Sequence, residues 1–184
     1  MAALFSVEAG SSSLANLEGL LRQVGNQAPH AIRRAVNHTG DKAVTQVARA
    51  LAKQTSAKYG AVKKALVVKR ATYDRGVYRI SAKGGYISLK EFGARQTKAG
   101  VSAMVWGKRR VFPHSFVSAK LGGHVFVRMG KARNPIRKMW GPALPNEMVK
   151  GDTAATFLST VEADLPARVA HEVAALLNGR APRG

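Results

Sequence analysis

Apolar positions in this chain repeat with a helical period towards both ends and with a strand-like period between them. Leu14, Leu17, Leu20, Leu21 and Val24 fall three or four residues apart, which predicts a helix over Leu14–Val24. Ser13 is placed to cap it and Gly25-Asn26 to end it. A longer helix is predicted over Ala28–Gln54. Pro29 sits where a first turn tolerates proline, and Ile32, Val36, Ala43, Val47 and Leu51 form one stripe, broadened by Ala35, Val44 and Ala48. Thr39-Gly40 interrupts the stripe. Glycine inside a helix costs about 1 kcal/mol, so a kink or a close packing contact is expected there. The helical period returns from Thr153 through Phe157, Leu158, Val161, Leu165, Val169, Val173, Leu176 and Leu177, with Asp152 as N-cap and Asn178-Gly179 as the stop. Pro166 lies inside it and predicts a kink or two abutting helices.

The middle of the chain alternates. After a helical turn over Ala61–Leu66, Val67–Tyr73 and Gly76–Ser81 are rich in β-branched and aromatic residues and meet at Asp74-Arg75-Gly76, a hairpin turn. In the second of these, Tyr78 and Ile80 face opposite to Val77, Arg79 and Ser81, so one face is solvated. Tyr86–Leu89 is a short strand, and Glu91–Gly100 is polar and small enough to be an exposed loop. Val101–Trp106 and Arg110–Phe112 form a hairpin around Gly107-Lys108-Arg109. Phe116–Lys120 and His124–Met129 form another around Leu121-Gly122-Gly123. Beyond Gly130 the prolines at 135, 142 and 145 favour extended backbone over helix. Together these elements predict one α+β domain over residues 1–184, an antiparallel β-sheet packed by a long N-terminal helix and a C-terminal helix. Residues 1–13 and 180–184 are expected to be mobile.

Composition agrees with a packed domain: 184 residues, of which 46% are apolar, suffice for a real core. There is no cysteine, which removes disulfides, thiolate chemistry and cysteine-ligated metals. No apolar run approaches the roughly 18 residues of a membrane span, and the first residues lack the pattern of a secretory signal. A soluble, cytoplasmically made product with no membrane partner is expected.

Charge changes the picture most. The chain carries 30 Lys and Arg against 10 Asp and Glu, a net charge of +20. Between Leu51 and Lys150 there are 22 Lys and Arg and only three acids, Asp74, Glu91 and Glu147. So strong a field implies a polyanionic or acidic partner, because self-repulsion otherwise costs stability. The candidate interaction residues are Arg95, Lys98, Arg109, Arg110, Arg128, Lys131, Arg133, Arg137, Lys138 and Trp140. Cations interleaved with Trp106, Phe112 and Trp140 could neutralise phosphates and stack on bases. Equally, those aromatics could build a sheet core under cationic loops. No RRM or helix-turn-helix signature is present, which argues against sequence-specific readout.

Other chemistry has little support. The carboxylates are scattered, and Glu162 and Asp164, two apart on a helix, point away from each other, so no acid–base pair or two-metal site is expected. His30, His38, His114, His124 and His171 lack metal-ligand spacing, and none is expected to have an acidic neighbour that would orient it. No phosphate-binding loop exists: Gly107-Lys108 belongs to a hairpin. The expectation is a protein with no catalytic activity, cofactor or metal.

Three blocks resemble the phage minor tail protein Z family of lambda-like long-tailed phages. The first runs from Arg33 to Thr39 and on through Thr45 to Lys53, where the family shows an R-A-x-N helix followed by T-x-x-x-R; here these are Arg34-Ala35-Val36-Asn37 and Thr45 to Arg49. The second is Ile87-Ser88-Leu89-Lys90-Glu91-Phe92-Gly93-Ala94-Arg95-Gln96 with Gly100-Val101. The third runs from Ser115-Phe116-Val117 through Val125–Lys131 to Pro135-Ile136-Arg137-Lys138-Met139-Trp140-Gly141-Pro142. The family commonly has Leu before that proline and Tyr before that glycine, where this chain has Asn134 and Trp140. The blocks span residues 30–145.

The resemblance implies a structural protein of the virion, assembled in the host cytoplasm. Such a protein is a tail-completion or neck subunit that forms a ring, usually a hexamer, at the head-proximal end of the tail. Its expected partners are copies of itself, the tail terminator or tail tube protein, the head–tail connector, and genomic DNA in the lumen. A protruding, proline-stiffened segment at residues 134–145 would suit docking onto a neighbour. The alternative is a non-specific cytoplasmic nucleic-acid-binding protein.

Overall fold

A computed structural model of the chain describes residues 3–8, 21–22 and 24–179. Strand β1 (Ala3–Val7) is followed by helix α1 (Ala28–Thr55) and a short helix α2 (Tyr59–Ala65) that runs into β2 (Leu66–Lys69). Then come β3 (Tyr78–Ala82), β4 (Tyr86–Ser88), β5 (Arg95–Thr97), β6 (Gly100–Val105), β7 (Lys108–Pro113), β8 (Ser115–Ser118), β9 (His124–Arg128), β10 (Ile136–Lys138) and β11 (Trp140–Ala143). Helices α3 (Leu144–Met148) and α4 (Gly151–Leu177) follow. The fold is α+β with every strand pair antiparallel. The strands divide among sheets ordered β1-β3-β2, β10-β9-β8, β11-β4 and β5-β6-β7.

Helices α1 and α4 lie antiparallel, in the most extensive contact between any two elements. The stripe read from the sequence is the buried one: Ala35, Val36, Ala43, Val47, Ala48 and Leu51 are all buried. On α4 the buried residues include Phe157, Leu165, Val169 and Val173, whereas Leu158 and Leu177, counted with the apolar stripe, point outward. Alpha-helical residues three and four apart share a face, and Leu158 is one position beyond the face that Phe157 occupies. Pro166 neither divides α4 nor ends it.

Polar contacts fix the register of the two helices. Near the start of α1, the Arg34 Nε is 2.9 Å from the carboxylate of Glu172, which is only 2% exposed and also accepts from Arg168 one turn earlier at 2.5 Å. Midway, Asp164 accepts a hydrogen bond from Thr39 Oγ1 at 2.8 Å and another from Lys42, with His38 Nδ1 at 3.6 Å. That acidic neighbour of His38 comes from the other helix, so the expectation that no histidine has one is corrected. At the far end, Gln54 accepts from the backbone and hydroxyl of Thr153 and donates to the Glu147 carbonyl. Partners fall along α4 as they rise along α1, which is the antiparallel register itself.

Gly40 is the close packing contact. A Cβ there would lie 2.4 Å from the ring of Tyr78, a fully buried side chain of β3. The Tyr78 hydroxyl donates to Asp41 at 2.8 Å. Burial, and then the Asp41 carboxylate, push that hydroxyl well above the ordinary tyrosine range, so it remains a donor.

Several elements differ from expectation. Residues 3–7, placed in a mobile end, form β1 and pair with β3 from Ala3↔Ala82 to Val7↔Tyr78. Phe5 stacks on Phe157 of α4 with centroids 4.3 Å apart. The Asp74–Gly76 hairpin turn is a longer connection, because the Asn37 side chain takes both backbone groups of Ala71 (2.8 and 3.1 Å) and ends β2 at Lys69. The loop expected over 91–100 is exposed but contains β5, after a 3-10 turn that buries Leu89 and Phe92. Residues 134–145 do not protrude: β10 pairs with β9, β11 pairs with β4, and Leu144 and Pro145 are buried. The helix expected over Leu14–Val24 and the tail at 180–184 fall largely outside the described residues.

Two outcomes follow. Gly40→Ala gains helix propensity but drives a methyl into a pinned ring, and overpacking of this kind costs about 1–3 kcal/mol; thermal denaturation followed by circular dichroism should show a clear drop in Tm. For Asp164, burial pushes the carboxyl up, but the hydrogen bonds from Lys42 and Thr39 outweigh it and hold the group below the ordinary 3.8. A depressed folded value means the stabilisation is complete above 3.8 and is lost as pH falls through the folded value. Urea midpoints measured from pH 6 downward should therefore fall less steeply for Asp164→Asn than for the natural chain.

Candidate interaction surface

The ten candidate residues separate into three groups on the fold. Arg95 lies on β5 opposite Ser102, Lys98 lies in the β5–β6 turn, and Arg109 and Arg110 lie on β7 opposite Met104 and Ala103. Arg109 donates to Ser102 Oγ at 3.0 Å. Arg128, Lys131 and Arg133 form a second group at the end of β9. Arg128 sits 5.0 Å over the Phe116 ring and donates to the Arg133 carbonyl at 3.2 Å. Arg128 and Lys131, though not Arg133, help Phe116 to line an open groove of about 630 Å³.

The third group, Arg137, Lys138 and Trp140, is assembled with residues distant in sequence. These three line a groove of about 560 Å³ together with Tyr86, Trp106 and Phe112, over a floor of Leu89, Val105, Met139 and Gly141. Lys138 Nζ stands 4.5 Å over the Trp140 ring, a cation–π contact. Tyr86, Trp106 and Trp140 are 65%, 49% and 52% exposed. Three large aromatics left that open on one groove form an exposed apolar patch, the kind of feature that makes the groove a candidate docking surface.

Local chemistry explains how the groove forms. Trp106 and Gly107 have φ of 50° and 72°, the left-handed pair of a two-residue hairpin turn. The turn therefore sits one position earlier than the expected Gly107–Arg109, and Lys108 already pairs with Val105. The end of α1 selects it. Trp106 N donates to the Thr55 carbonyl at 3.2 Å, and Gly107 N donates to Ser56 Oγ at 2.8 Å. On the other wall, a Cβ at Gly141 would lie 2.3 Å from the Phe92 ring, so only glycine lets β11 settle there. Lys138 and Trp140 were legible as a basic–aromatic run. Trp106 was named with them as an aromatic among cations, and the end of α1 sets its place in the groove; Tyr86 was not, because strand pairing brings it in.

The structure also contains a contact that sequence spacing hides: Ser88 Oγ and His124 Nδ1 are hydrogen-bonded at 2.9 Å between β4 and β9. Burial, and then the nearby Lys138 and Lys90, hold His124 below the ordinary histidine value. The pair ties two sheets together beside the groove. Among the described residues, no group of three or more His, Cys, Asp or Glu could hold a metal ion. No helix among them is long and apolar enough to cross a membrane.

The acids lie elsewhere or are engaged. Glu91 pairs with Lys58 at 3.3 Å and Glu147 accepts from Gln54. Of the three acids among residues 51–150, these two are committed to internal contacts. The cations of all three groups lack carboxylate partners among the described residues.

A family model described as prophage minor tail protein Z matches residues 11–179. No curated protein and no solved structure matches the chain.

The groove's charge has an optical signature, since the chain's two tryptophans both line it. Iodide should quench their fluorescence at least about twofold more strongly than caesium at low ionic strength, and added salt should erase the difference. Equal quenching by both ions would mean that the groove carries no positive potential.

Proposed function

We propose that this chain, which belongs to the prophage minor tail protein Z family and is thus a structural protein of a phage tail, completes the head-proximal end of that tail as a subunit of a ring. The ring, a hexamer, lies between the tail terminator or tail tube and the head–tail connector, and the genome passes through it. The protein is then a component of the virion, and its work is assembly.

The observation that carries this reading is the uncompensated charge. Its net charge is +20, and two of the three acids in the basic half are held in internal contacts. The cations of the three groups thus have no carboxylate partner among the described residues. A place among acidic faces of neighbouring rings, or around DNA phosphates, supplies the missing negative charge. A freestanding nucleic-acid binder would use the same cations, and the Lys138–Trp140 stack is compatible with it. Family membership favours the tail.

Arg137→Ala with Lys138→Ala distinguishes docking from folding. Both residues lie on β10 at the surface of the groove, so stability should stay within about 0.5 kcal/mol of the natural chain. Complementing a phage that lacks this gene with the double variant should lower the yield of joined, infectious particles at least about tenfold, the effect of losing roughly 1.4 kcal/mol of docking. Full yield would remove these residues from the docking surface.

A further inference from the structure

Charge is segregated on this molecule, and the segregation has two complementary halves. The outer side of α4 exposes Asp152, Ala155, Leu158, Ser159 and Glu162. Leu158 is 56% exposed, more than any other leucine among the described residues. Glu162 lies one helical turn beyond Leu158 on the same side, and Ala155 and Ser159 are small enough to let a neighbour approach. Apart from His171, the one basic residue of α4 is Arg168, and it is bonded to Glu172. Asp152 and Glu162 form no ion pair among the described residues. A strongly basic chain thus presents Asp152 and Glu162 on one side of α4, with the exposed Leu158 between them along the helix and Lys53 of α1 beside Asp152, and separately an aromatic groove rimmed by Arg137 and Lys138.

We infer that these two surfaces are the halves of one contact between copies of this chain. Leu158 of one subunit enters the groove bordered by Trp106 and Trp140 of the next, and Asp152 and Glu162 face Arg137 and Lys138. The inference rests on the ring proposed above and names the surface that builds it. A groove of about 560 Å³ suits one or two apolar side chains of a helix. The basic sheet edges serve poorly instead: β2 ends in Lys69, β5 carries Arg95, and β7 carries Lys108, Arg109 and Arg110, so edge-to-edge pairing among them would set like charges against each other. Because the two patches differ, the contact is heterologous, the kind that builds a ring when the rotation between neighbours closes, as the proposed ring requires.

The absence of cysteine from the natural sequence makes the test direct. Full-length Leu158→Cys and Trp140→Cys chains, mixed under mild oxidation, should form mixed disulfide dimers at least about tenfold faster than Leu158→Cys with Thr72→Cys, because docking raises the effective concentration of the thiols. Tyr86→Cys, which also lies on the groove, repeats the test if Trp140→Cys disturbs it. Charge reversal by Arg137→Glu and Lys138→Glu should abolish the cross-link. Asp152→Lys and Glu162→Lys in the Leu158→Cys partner should restore it. Oligomers seen by sedimentation without the mixed disulfide would overturn this contact and leave the ring standing. A full-length chain that self-associates neither alone nor in tails would overturn both. Duplex DNA binding that Arg137→Glu and Lys138→Glu weaken, with no mixed disulfide, would assign the groove to nucleic acid instead.

Discussion

The pairing of the Glu172 and Asp164 carboxylates with cations of α1 is the constraint on which the rest of the molecule depends. An unpaired buried charge costs several kcal/mol, so removing either partner is far more costly than the net worth of the bridge. Glu172 is nearly inaccessible and lies between Arg34 and Arg168, and Asp164 is held by Thr39 and Lys42. Apolar packing alone would tolerate a slip of α1 along α4. These contacts do not, since a shift of one turn would leave both carboxylates without their partners.

That register reaches the groove through the last turn of α1. Thr55 and Ser56 hold the turn that presents Trp106, and Gln54 holds Glu147 of α3 and Thr153 of α4. Helix α3 follows directly on β11, the strand that carries Trp140. Both walls of the groove are therefore referred to one helix end, and the groove is rigid to the extent that α1 is. The same contacts hold Glu147, Asp164 and Glu172 within the fold, and among the described residues the cations of β5, β7, β9 and β10 have no carboxylate partner. Fold stability and surface charge are in this sense one arrangement.

Much of this was legible in the sequence. The 3.6-residue period marked both long helices within a few residues, and Gly40 in mid-helix marked a kink or a close contact, of which the Tyr78 ring against it is the second. The basic middle and the Lys138–Trp140 run marked the surface. What failed was non-local. Residues 3–7 alternate inward Ala3, Phe5 and Val7 with outward Leu4 and Ser6, a strand signal, but five residues beside a small-residue segment gain meaning only when β3 is available to pair. Residues 134–145 have the prolines of a free extended arm, and tertiary pairing made strands of them. The acidic partner of His38 and the position of Trp106 depend on contacts across 126 and 51 positions of chain, beyond any local pattern.

A tail ring of such subunits would present like charges around its circumference and need acidic surfaces, its own or its neighbours', to close. Electron cryomicroscopy of intact tails, with the head–tail junction resolved, tests that claim most directly. The account predicts a closed ring of this α+β fold at the head-proximal end, its basic strands turned towards DNA or adjoining rings. Density for the chain at the distal tip, or tails that join heads normally without it, would contradict the account.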